Sequence, residues 1–68
     1  MRKFEFEIHN NEVAEALRAG DRHKVFKDEW ADVHFIEFSG EDVNDARGKA
    51  ARRYPAHQGF VIEGGTEV

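Results

Sequence analysis

Sixty-eight residues with ten Lys or Arg against fourteen Asp or Glu, a formal charge of −4, make one small acidic domain with room for a single core. Six Phe, one Trp and one Tyr are too much aromatic material for a disordered acidic tail, and the lack of cysteine excludes disulfide frameworks, zinc ribbons and thiol chemistry. The opening MRKFEFEIHN has no unbroken apolar stretch of the kind a secretory signal or membrane span requires, so the expectation is a cytoplasmic protein without a membrane partner.

Phe4, Phe6 and Ile8 alternate with Lys3, Glu5, Glu7 and His9, the period-two pattern of a strand with one buried and one solvated face. Asn10 and Asn11 can cap a short helix over 12–19 that gathers Val13, Ala16 and Leu17 on one side and stops at Gly20. In the charged stretch 21–31, Val25 and Phe26 suggest a short edge strand, with an irregular turn as the other reading. The run from Val33 to Phe38 is β-branched and aromatic enough for a strand, ended by Ser39-Gly40.

Ser39 followed by Asp42 approximates a capping box, opening a helix over 41–54 that Pro55 forbids from continuing. Val43, Ala46, Ala50 and Tyr54 share one face of it, small enough for close docking on a sheet, with Arg47 and Ala51 at the margins. A last strand follows over 60–63, and residues 64–68 read as a disordered tail behind a single α+β domain over 1–63. With a strand in 21–31 the order is βαββαβ, the ferredoxin-like arrangement; without it, a three-stranded variant remains. Either way, two helices cover one face of the sheet and the other face is open.

The inventory of chemical groups argues against an enzyme. Ser39 is assigned to a helix cap and Thr66, the sole threonine, to the tail, so no hydroxyl has a positioned base. His9, His23, His34 and His57 match no HxxH-like or HExxH spacing, so no metal or other cofactor is expected. Arg47, Lys49, Arg52 and Arg53 place four bases within seven residues and make nucleic-acid binding the alternative reading. Their position also suits the C-terminal end of a helix dipole, and Asp45 stands four residues before Lys49.

A protein-binding surface, for another protein or a second copy, is the more economical reading. With Ile36 and Phe38 in the core beside Phe60 and Ile62, the open face gathers Val33, Phe35 and Val61, rimmed by Glu5, Glu7, Glu37 and Glu63. Trp30 is a further anchor candidate, against the alternative that it covers an open edge of the core.

The stretch from Ser39 to Ile62, with Asp45-Ala46-Arg47, Ala50-Ala51-Arg52 and Gly59-Phe60-Val61-Ile62, resembles the helix-and-strand pattern of small phage- or plasmid-encoded accessory proteins, some of them anti-CRISPR inhibitors. The resemblance covers about a third of the chain, and it implies a non-enzymatic protein that acts by occupying a surface of a larger assembly.

Overall fold

A computed structural model describes residues 1–68 and shows a small α+β fold. Three strands, β1 (Arg2–Asn10), β2 (His34–Gly40) and β3 (Phe60–Glu67), form one sheet in the order β2-β1-β3, with β1 antiparallel to both neighbours. Two α-helices, α1 (Asn11–Arg18) and α2 (Val43–Arg53), follow β1 and β2. Single 3-10 turns at Asp28–Ala31 and Ala56–Gln58 precede β2 and β3.

The alternation in β1 sets the whole layer. Phe4, Phe6 and Ile8 are buried, and their ladder partners on β2 are Phe38, Ile36 and His34. Ala46 and Ala50 of α2 are fully buried against this face, and Phe60 completes the cluster, flanked by Ile36, Phe38, Val43, Tyr54 and Ile62. Burying alanines keeps the α2 backbone near the strands, because no side chain holds the two layers apart. Gly40 shows how near: a Cβ there would lie 2.6 Å from the amide nitrogen of Ala46.

Side chains cap both α-helices. The Asn10 side chain accepts from the Val13 amide at 3.0 Å and donates to the Gln58 carbonyl at 3.0 Å, so one buried residue starts α1 and ties it to the turn before β3. At α2 the cap is Asp42, which accepts from the Asp45 amide, while the Asp45 carboxylate accepts from the Glu41 amide. The capping box therefore sits three residues later than Ser39 implies. Ser39 and Gly40 are the last two residues of β2, paired with Lys3 and Arg2, so the strand ends at Gly40 and the helix cap comes after it.

Two further expectations are corrected. Residues 21–31 hold no strand, so the βαββαβ reading gives way to the three-stranded variant. The His23 Nδ1 atom accepts from the amides of both Val25 and Phe26, using the donors that a strand would have given to a ladder. Phe26 instead packs its ring on Phe60, while Val25 is 76% exposed.

Residues 64–67 are not a disordered tail but the second half of β3. Gly64 and Gly65 adopt φ of 83° and 111° at an irregularity opposite Glu5 and Phe6, after which pairing resumes at Thr66 and Glu67. Arg2 then grips Glu67 through two hydrogen bonds, Nε to Oε2 at 2.9 Å and Nη2 to Oε1 at 2.7 Å. A turn-like pair of glycines is thus a bulge within a strand.

Candidate functional site: the open face of the sheet

No element packs on the second face of the sheet, and the ladder registers order its side chains in rows. Glu7 lies between Phe35 on β2 and Glu63 on β3; Glu5 lies between Glu37 and Thr66; His9 is opposite Val61, and Lys3 opposite Ser39. Phe35 is 65% exposed and Val33, two residues earlier, is 47% exposed. Toward the His9 end the face is thus apolar, and it becomes acidic toward the middle.

This differs from an apolar centre with an acidic rim. β1 is the central strand, so Glu5 and Glu7 occupy the middle of the face, and Phe35 and Val61 lie on the strands to either side. Chain order does not give strand order, and placing the first strand between the other two is what moves the glutamates inward. Thr66, on the presumed tail, joins the same surface opposite Glu5.

Two pairs of like charges face each other directly across the ladders, Glu5 with Glu37 and Glu7 with Glu63. Directly opposed like charges weaken a sheet, where an opposite-charge pair would strengthen it by roughly 0.2–1 kcal/mol. None of the four glutamates forms a salt bridge within the chain; the ion pairs lie elsewhere, at Arg2–Glu67, Arg22–Asp28, His23–Glu12 and Lys49–Asp45.

Trp30 is not on this face. Its ring stacks on His34 with centroids 4.3 Å apart and meets Tyr54 and Phe60 at 5.3 and 5.4 Å, closing the helix side of the core. The only tryptophan is spent on burial, as expected where few large residues are available.

The basic cluster on α2 divides into two roles. The Lys49 ammonium donates to the Ser39 carbonyl at 2.9 Å on β2, and Arg47 donates to the Gly64 carbonyl at 2.8 Å on β3 with its guanidinium 5.3 Å from the centre of the Phe6 ring. One helix thereby clasps both outer strands. Arg52 and Arg53, in the last turn, are exposed and make no ion pair. The wheel alone could not show that Arg47 and Lys49 reach past the core to opposite edges of the sheet.

The histidines are dispersed. His9 lies on the open face, His23 holds the 21–27 turn, His34 lies under Trp30 with Nε2 2.9 Å from the Glu29 carbonyl, and His57 is exposed in the turn before β3. No group of three or more His, Asp or Glu is arranged to hold a metal ion, and no helix is long and apolar enough to cross a membrane. A search among known proteins finds no matching family model, no matching curated sequence and no matching solved structure.

Proposed function

We propose that the protein is a non-enzymatic cytoplasmic binding module whose open sheet face docks on a basic surface of another protein. The observation that carries this reading is the two pairs of opposed carboxylates, Glu5–Glu37 and Glu7–Glu63, set on a solvent face where they weaken the fold that bears them. A basic partner turns that repulsion into attraction, and the apolar Phe35, Val33 and Val61 beside it supply area that gains from leaving water. Two copies docked face to face would set acid against acid, which disfavours self-association through this surface. An accessory or inhibitor protein of a mobile element, the role implied by the resemblance of residues 39–62, would act in this way, by covering a surface of a larger assembly.

The test is capture from a bacterial lysate with the wild type and a Glu7→Lys/Glu63→Lys variant in parallel, with bound protein and nucleic acid both measured. The expected result is a protein released by rising salt and lost from the variant. Equal retention of that protein by the variant would overturn the proposal. So would capture of nucleic acid by both forms that disappears on Arg52→Glu/Arg53→Glu substitution, which would shift function to the end of α2.

A further inference from the structure

The two outer strands of the sheet are not equally protected. An unpaired edge presents main-chain donors and acceptors to any passing strand, and folds protect edges with bulges, charge, proline or covering elements. β3 is protected in two of these ways: Gly64 and Gly65 distort it, and Arg47 occupies the Gly64 carbonyl. β2 reads His-Phe-Ile-Glu-Phe-Ser-Gly, with no proline, no Lys or Arg and no irregularity in its register with β1.

The direction of the β2 backbone groups follows from two hydrogen bonds. The Val68 amide donates to the Lys3 carbonyl, so Lys3 faces β3, and its β2 partner Ser39 turns its carbonyl outward to Lys49. Antiparallel pairing alternates residue by residue, so Phe35 and Glu37 also direct their N–H and C=O groups away from β1. Lys49 caps Ser39 only, and no backbone hydrogen bond outside the regular elements involves Phe35 or Glu37.

We infer that the β2 edge pairs antiparallel with the β2 edge of a second copy, about a two-fold axis through Ile36, to form a continuous six-stranded sheet. In this register the outward groups of Phe35 meet those of Glu37 in the second copy, and the reverse, giving about four main-chain hydrogen bonds in two symmetric pairs. Charge favours the same alignment. Glu37 comes beside Phe35 of the second copy, not beside its own equivalent. Both α2 helices then lie on one side and the two acidic faces merge on the other. This pairing uses the edge of the sheet and does not depend on what docks on its face.

Sedimentation velocity over rising chain concentration tests the pairing, together with amide exchange at Phe35 and Glu37. The expected result is a shift from monomer to twice the monomer mass, with exchange at those two amides slowing in step. Glu37→Pro should abolish dimerisation and preserve the far-UV circular dichroism, because the lost N–H points away from β1. A wild type that stays monomeric to millimolar concentration would overturn the inference, as would a folded Glu37→Pro that still dimerises. If that variant does not fold, exchange in the wild type decides: rates independent of concentration reject the pairing. Glu7→Lys/Glu63→Lys leaves the edge intact and should dimerise normally, so failure of partner docking and failure of edge pairing are read separately.

Discussion

Arg2 and Glu67 lie 65 residues apart in sequence and hold each other through two hydrogen bonds at 2.7 and 2.9 Å, binding the start of β1 to the end of β3. The hydrogen bond from Arg2 holds the Glu67 carboxyl below its ordinary pKa, with the nearby positive charge acting in the same direction and partial desolvation opposing both. A carboxyl with a lower pKa in the folded state stabilises the fold above its unfolded value, and that contribution is lost as pH falls through the folded value. Glu67→Gln should therefore flatten the acid limb of stability against pH and leave the neutral-to-alkaline region parallel to wild type. Thermal unfolding from neutral pH down to strong acid checks this; an unchanged acid limb would show that the contact contributes nothing in solution.

Asn10 is fully buried and serves two elements, so its truncation should cost more than an ordinary helix cap. Asn10→Ala leaves the Val13 amide and the Gln58 carbonyl without their partner, a loss of about 2–3 kcal/mol once the cap and the second hydrogen bond are both counted. Asn10→Asp keeps the acceptor for Val13 and loses the donor to Gln58, so it should fall between wild type and Asn10→Ala. Urea denaturation of the three proteins decides the order. Gly59 belongs to the same joint: it has φ of 95°, and a Cβ there would lie 2.8 Å from the Asn10 Oδ1 atom and 2.6 Å from the Glu12 Cγ atom.

The elements whose sequence period matches their environment were legible from the chain alone. Phe4, Phe6 and Ile8 are buried as their alternation requires, and Ala46 and Ala50 lie at the core contact as the wheel places them. Ile36, Phe38 and Ile62 pack against the cluster that contains Phe60, which decides the face of β2 that a strand apolar on both sides leaves open. What could not be read depends on long-range pairing. The 64–67 segment is rich in glycine and extended only because β1 offers it a ladder and Arg2 offers it an anchor. Likewise, His23 holds residues 25 and 26 out of any strand through a side-chain acceptor that propensity does not count. The acidic centre of the open face needed strand order, which periodicity does not contain.

Relieving the repulsion on that face should stabilise the isolated protein. Glu7 faces Glu63 directly, so Glu7→Gln is expected to raise stability by up to about 1 kcal/mol, and added salt should stabilise the wild type more than the variant. Chemical denaturation by urea, which is uncharged, at low and high sodium chloride measures both effects. A Glu7→Gln protein less stable than wild type would show that Glu7 has a favourable role within the fold, and would remove the argument that its charge serves a partner.

The four bases near the end of α2 should separate by position. Arg47 and Lys49 each hold an outer-strand carbonyl, and replacing either with Ala should cost about 1 kcal/mol through loss of a charge-assisted hydrogen bond at a partly exposed site. Arg47→Ala also removes the guanidinium that lies over the Phe6 ring, so it should be the more damaging of the two. Arg52→Ala and Arg53→Ala should stay within about 0.5 kcal/mol of wild type, since neither forms an ion pair and both are exposed. Four urea titrations settle the division. Equal small effects at all four positions would free the whole cluster for phosphate contacts and strengthen the nucleic-acid reading; the expected split limits any such contact to two arginines in one helical turn, on a chain whose net charge opposes it.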